Sequence, residues 1–288
     1  MAEGWETNKC GALPGRRAHQ ILPPLPFRTI WAKGRTGHFE GMEPASAVSR
    51  VISQSSDCSG RLETRAGQPA DTHRDLPRWK RRLDLACVLA AAPLVVPLGL
   101  LIGLMVKLVS PGPALFKQQR VGYRGHRFTC LKFRTMAVNA DTGVHAGHMV
   151  HLMKSARPMT KLDATGDSRL IAWGWLLRSC GLDELPQLIN VLRGEMSLVG
   201  PRPCLAYECE KYQPRHWQRF ETPPGLTGFW QVHGKNRTTF EEMMDMDLYY
   251  VNHKSLLLDL SIIARTIPAI VQQVIDQRRD KKSVSCAQ

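Results

Sequence analysis

LACVLAAAPLVVPLGLLIGLMV, residues 85–106, is a run of 22 residues without a charge. As one straight helix it would be about 33 Å long, enough to cross a hydrocarbon core of about 30 Å. Pro93 and Pro97 complicate that reading, because each removes a backbone hydrogen bond and crowds the preceding turn. A sharp bend at Ala92-Pro93 would leave arms 85–92 and 93–106, about 12 Å and 21 Å long as helices, and neither crosses alone. The flanks favour the bend. Lys80, Arg81 and Arg82 precede the run, and Lys107, Lys117, Arg120 and Arg124 follow it. Positive charge marks the cytoplasmic side, and here both sides are positive. A re-entrant helix, entering and leaving by one face, satisfies both observations. A kinked transmembrane helix is the alternative, since proline does not exclude a span.

The charge distribution points to the same place. The chain has 288 residues and a net charge of +14. Residues 1–75 carry 10 Lys/Arg against 8 Asp/Glu, whereas residues 76–140 carry 11 against one acid, Asp84. The basic excess therefore surrounds the apolar run, which suits anionic lipid and phosphorylated ligands. The eight cysteines are scattered without a CxxC pair, as expected of free thiols in a reducing compartment. His145, His148 and His151 could share a helix face, but no acid or cysteine accompanies them as a metal ligand.

Outward from the apolar run, four regions are expected. Residues 1–75 are rich in Pro, Gly, Ser and Arg without sustained periodicity, and read as a disordered tail. Residues 76–110 form the basic-flanked membrane helix. Residues 111–275 form a compact catalytic domain, and 276–288 a polar tail. Within the third region, 114–119 and 127–133 have strand patterns around Gly122 and Gly125, consistent with a β-hairpin. Residues 137–168 read as a loop or insertion. Helices are expected at 170–177, 185–192 (ended by Gly194), 241–250 and 256–275. The fold class is thus mainly α with a small β-hairpin, associated with a membrane through one re-entrant helix.

The chemistry concentrates in GLDELPQLINVLRGEMSLVGPRP, residues 181–203. Asp183 and Glu184 stand side by side before a helical pattern. Acids there often serve only the positive helix end. Three features argue for more: Arg178 lies five residues earlier, Arg202 is held between Pro201 and Pro203, and Lys132 and Arg134 follow a strand. Two carboxylates among several cations near a membrane suit phosphoryl transfer. A metal ion would bridge the acids to a diphosphate, and arginine would hold phosphate oxygens bidentately. Gly225, Gly228 and Gly234 bracket Trp230 and Gln231, as turn glycines or as a substrate loop.

The order of KFRTM at 132–136, the 177–203 motif, PGLTGFWQVHGKNR at 224–237 and DLYYV at 247–251 resembles the bacterial sugar transferase family. These are small monotopic phosphoglycosyl transferases acting on polyprenyl phosphate, and the resemblance covers about residues 77–275. It implies that Asp183 is a nucleophile carrying the sugar phosphate covalently and that Glu184 serves, with Asp183, a magnesium site. It implies phosphate contacts for Arg202, and makes Asp247 a site candidate beside Lys132, Arg178 and Gln231. The implied donor is a nucleotide diphosphosugar, with uridine as the nucleotide. The acceptor is undecaprenyl phosphate, and the location is the bacterial inner membrane with the catalytic domain facing the cytoplasm. The family re-enters the membrane at a Ser-Pro step; here the step is Ala92-Pro93, and the serine hydroxyl is absent. Two readings from other classes compete. A membrane-tethered nucleic-acid-binding regulator would need base-stacking aromatics among the basic residues, and 76–140 holds few, so no nucleic acid is expected. A non-catalytic scaffold of the same fold would not need Asp183, Glu184 and Arg202 intact.

Overall fold

The computed structural model describes residues 76–138, 143–155, 157–159, 169–235 and 237–285. The expected tail at 1–75 lies outside them. Helix α1, Arg78–Val109, leads into a hairpin of β1, Leu115–Val121, and β2, Arg127–Phe133. Then follow α2 (Gly143–Lys154), α3 (Gly174–Cys180), α4 (Gln187–Arg193), β3 (Ser197–Val199) and α5 (Ala206–Cys209). The chain continues with a 3₁₀ segment, Pro214–Glu221, then β4 (Gly225–Thr227), α6 (Phe229–His233), α7 (Phe240–His253) and α8 (Leu256–Ser285). The chain is mainly helical with one antiparallel hairpin, as expected. Leu115 faces Phe133 and Val121 faces Arg127 across it. The turn uses Arg124 and Gly125 in the left-handed region.

The structure departs from the sequence reading at three places. Helix α1 runs through Pro93 and Pro97 without interruption, so the expected break into two arms is not seen. The prolines are four residues apart and remove only the donors that would serve the carbonyls of Leu89 and Pro93; the other N–H groups still close their turns. The segment expected to be a loop contains α2. Helix α8 continues to Ser285, past the expected start of a polar tail at 276.

Helix α1 meets the rest of the protein near both ends. At its start, the buried Lys80 ammonium donates to Val199 O at 2.8 Å, to the Tyr250 hydroxyl at 2.8 Å and to Asp259 Oδ2 at 2.7 Å. Asp84 accepts from Ser197 Oγ at 3.0 Å and from Leu198 N–H at 2.9 Å. Arg81 donates to Leu192 O at 2.6 Å and to Val191 O, capping the C-terminal end of α4. Farther along, Val88 packs with Phe128, Cys130, Val191 and Met196. Ile102 and Val106 pack with Phe133 and Leu177. Gly99 and Gly103 let the Phe133 ring lie against the helix, within 3.8 Å and 3.6 Å of where their Cβ atoms would be. The opposite side is apolar and exposed, at Leu89, Leu94, Leu100, Leu104 and Leu108. Helix α8 exposes a second apolar stripe at Leu257, Leu260, Ile267 and Val271. Both helices are long and apolar enough to cross a membrane.

Lys80 and Asp259 are 2% and 1% exposed, so neither can be left alone cheaply. Removing one partner of a buried pair strands the other charge, whereas replacing both with apolar residues is often neutral. Lys80→Met is expected to destabilise the fold by about 3–5 kcal/mol, and adding Asp259→Leu should recover most of the loss. Denaturant titration in detergent checks this; an unchanged midpoint in Lys80→Met would refute the anchor.

Candidate active site

The two adjacent acids occupy a 3₁₀ turn, Leu182–Glu184, between α3 and α4. Gly181 ends α3 at φ 69, a left-handed conformation that favours glycine. The turn closes with Glu184 N–H donating to Gly181 O at 3.1 Å and Leu185 N–H to Leu182 O at 3.3 Å. Pro186 then occupies the capping position of α4 without a side-chain cap bond. The two acids thus stand in the turn just before α4, with Pro186 between them and the helix proper. Asp183 is 9% exposed. Arg178 lies in the last turn of α3, just before Gly181.

The hairpin supplies the facing cation. Lys132, on β2, donates to Glu184 Oε1 at 2.8 Å. The two side chains are 23% and 36% exposed, so the pair stays wet and contributes under about 1 kcal/mol. A more highly charged ion can displace it at little cost. Two positions back on the same strand face, the Cys130 thiol is fully buried, and burial pushes its pKa up. Lys132 and Arg120 pull it back down.

Arg202 reaches the site from the turn after β3. Strand β3 runs parallel to β4, and the two backbones approach closely: a Cβ on Gly200 would lie 2.3 Å from Pro223 O. The Gly225 backbone has the same constraint, so that glycine serves close packing. The Arg202 side chain is 22% exposed and lies 3.3 Å from Glu208 Oε2, a loose pairing. The structure thus joins Lys132 to Glu184, with Asp183 the preceding residue of the turn, and pairs Arg202 with Glu208.

Two candidates sit elsewhere. Asp247 is 2% exposed and accepts from Arg219 Nη2 at 2.7 Å, behind the turn that carries Arg202. Gln231 donates from Nε2 to Leu226 O at 3.3 Å and braces β4. One buried cation near the site was not singled out from sequence: Arg120, 8% exposed, on β1. In the sequence it counts only among the basic residues after the apolar run, one position past the expected strand at 114–119.

Burial raises the Asp247 pKa from 3.8 to about 6, against the downward pull of Arg219 and Arg202. The raised carboxyl contributes stability that is full below about pH 4 and is lost as pH rises through about 6. At 1.36 kcal/mol per unit, the loss across that window is about 3 kcal/mol. Relative to Asp247→Asn, the parent protein should therefore weaken by that order between pH 4 and 6. Urea titrations of both proteins across this range test it, and a constant difference would refute it.

Helix α2 carries His145, His148 and His151, but among the described residues no three His, Cys, Asp or Glu side chains are placed to hold a metal ion. Asp183 and Glu184 supply two carboxylates. That donor set fits a hard cation that takes its remaining oxygens from phosphate and water, as magnesium does. Cys87, Cys130, Cys180, Cys204 and Cys209 are free thiols, in keeping with the sequence reading.

The sequence pattern that defines the bacterial sugar transferases matches residues 76–273. The exopolysaccharide production protein ExoY of Sinorhizobium fredii is 38% identical over 191 residues, covering 66% of this chain and 84% of that protein. The UDP-glucose:undecaprenyl-phosphate glucose-1-phosphate transferase of Caulobacter vibrioides is 40% identical over 200 residues, 67% of this chain and 69% of the relative. The undecaprenyl-phosphate galactose phosphotransferase of Salmonella typhimurium is 35% identical over 195 residues, but these make up only 40% of its length.

Proposed function

Because the chain belongs to the bacterial sugar transferase family, we propose that it transfers a sugar-1-phosphate from a nucleotide diphosphosugar to undecaprenyl phosphate, through an adduct on Asp183. It is a phosphoglycosyl transferase, the class to which its relatives' names assign them. The observation that carries the detailed reading is the contact of Lys132 with Glu184, the residue next to Asp183. A carboxylate, a replaceable cation and an arginine form the equipment that phosphoryl transfer needs.

The Asp183 carboxylate attacks the phosphorus next to the sugar. The bond to the second phosphate breaks, and the nucleoside monophosphate leaves with that electron pair. A phosphate oxygen of the lipid then attacks the same phosphorus and displaces Asp183, which regains its charge. Arg202 holds phosphate oxygens through its guanidinium fork. Lys132 keeps Glu184 charged and oriented until the donor arrives. Asp183 and Glu184 would hold magnesium, which when bound offsets charge on the diphosphate. Uridine as the nucleotide is carried over from the relatives named for UDP sugars.

Helix α1 would lie in one leaflet of the bacterial inner membrane, with the catalytic domain in the cytoplasm beside anionic lipid. Its contacts favour this. Lys80 and Val106 both touch the same body, although about 39 Å of helix separates them. A straight span would put a bilayer between those contacts. Since α1 is continuous through Pro93 and Pro97, its one-sided placement rests on these contacts and not on a break. A cysteine placed before residue 80, in a background lacking native cysteines, should resist an impermeant thiol reagent on intact cells. Labelling would refute the one-sided anchor.

The activity itself is tested with a panel of nucleotide sugars and undecaprenyl phosphate, detecting the nucleoside monophosphate released. Release that depends on the lipid supports the reading. Membrane-bound, folded protein that releases none from any donor would overturn it.

A further inference from the structure

We infer that Arg120 and Arg219 are positioning residues that clamp the backbone of the turn presenting Arg202. The inference rests on the proposed role of Arg202 in holding the donor diphosphate.

Pro201 and Pro203 fix two φ angles but bring no N–H groups. The turn therefore consists largely of carbonyls needing donors, and each of the three finds one. Pro201 O accepts from Gly225 N–H at 2.8 Å. Arg202 O accepts from Arg219 Nη2 at 2.8 Å. Pro203 O accepts from Arg120 Nη1 at 2.8 Å. Three consecutive carbonyls are thus held from three elements: β4, the 3₁₀ segment and β1.

The two guanidinium groups are themselves fixed. Arg120 directs Nε and Nη2 at Gln118 Oε1, at 3.1 Å and 2.6 Å. Arg219 directs Nη1 at the Tyr212 hydroxyl at 2.6 Å and shares Nη2 with Asp247 Oδ2 at 2.7 Å. They are 8% and 2% exposed, and both carry the same charge as Arg202. Burying two cations beside a third is costly unless the geometry requires forks that join two partners each. Lysine would offer these partners one nitrogen where Arg120 uses three and Arg219 two, so its donors could not keep the same positions. Asp247 accordingly acts at one remove: it offsets the buried charge of Arg219, which holds the Arg202 backbone. The Arg202 guanidinium itself pairs with the buried Glu208 at 3.3 Å, and an arriving anion would share it with that carboxylate. A group fixed in advance loses little freedom on binding its ligand.

The test is a double-mutant cycle on the full chain in detergent, reading the affinity for inorganic diphosphate by titration calorimetry with magnesium present. Arg202→Ala should weaken binding at least about 10-fold. Arg120→Lys and Arg219→Lys should each weaken it by about 3–10-fold alone, and by under about 2-fold when added to Arg202→Ala, because residues acting through one another are not additive. A residue that only supports the fold would impose the same factor in both backgrounds, and that outcome would overturn the clamp. Full affinity in both single lysine variants would overturn it too. Full affinity in Arg202→Ala would instead remove the role of Arg202 beneath it. Should Arg219→Lys fail to melt cooperatively, Arg120→Lys carries the test, since it abandons no buried carboxylate.

Discussion

Turnover falls by at least about 10³-fold in Asp183→Asn, because the amide keeps the shape of the side chain and loses the nucleophile. The geometry makes this substitution clean. The 3₁₀ turn around it closes through Glu184 N–H to Gly181 O and Leu185 N–H to Leu182 O, and the amide keeps the size of the acid, so the fold should survive. Direct displacement by the lipid phosphate, with Asp183 acting only as base or metal ligand, also predicts a loss. The two are separated by incubating the parent enzyme with radiolabelled nucleotide sugar without lipid. A phosphosugar should remain on Asp183 after denaturation and be absent from Asp183→Asn. Near-normal turnover in the purified variant rules out the nucleophile role, and failure to trap the adduct favours displacement.

The second large effect is expected on removing divalent metal. Chelation should abolish turnover, and magnesium should restore it. The two acids are too few to enclose a hard cation, which must therefore draw on substrate phosphate and water for its remaining oxygens. Lys132 occupies Glu184 meanwhile, through a contact that solvent already weakens. Neutralising it, as Lys132→Met, should tighten manganese binding measured by electron paramagnetic resonance while lowering turnover. Full turnover in excess chelator would end the proposal.

Much of this site could be read from the sequence because its chemistry is carried by side chains close together along the chain. The acid pair and the arginine between two prolines fall within 21 residues. The hairpin was legible through its alternation and its glycines. What was hidden depends on main-chain geometry. Strands β3 and β4 have three residues each, too short for a period to show. Arg219 and Arg120 act on carbonyls 17 and 83 residues away, and no side-chain motif records where a carbonyl points. Asp247 was legible as a candidate, but its bond to Arg219, 28 residues away, was not. The continuity of α1 was misjudged because two prolines were weighed without the packing of Val88, Ile102 and Val106 that holds the helix on either side of them. A signal for the anchor was present: Asp259 is a lone acid in an apolar helix, and such a residue needs a cation.

The bond from Lys80 to Asp259 joins residues 179 apart, and Asp84 waits for Leu198, 114 residues on. At about 5–20 residues per second of synthesis, Lys80 leaves the ribosome about 10–40 s before its carboxylate does. Helix α1 is apolar enough to enter the bilayer during that interval. Its first turns then sit at the headgroups with their charges turned to water and lipid phosphate, where a long lysine stem can reach. Docking comes afterwards, when α8 arrives, and it draws those charges out of the interface into the protein. With α1 anchored as proposed, the nascent chain would hold the bilayer before it could complete its fold.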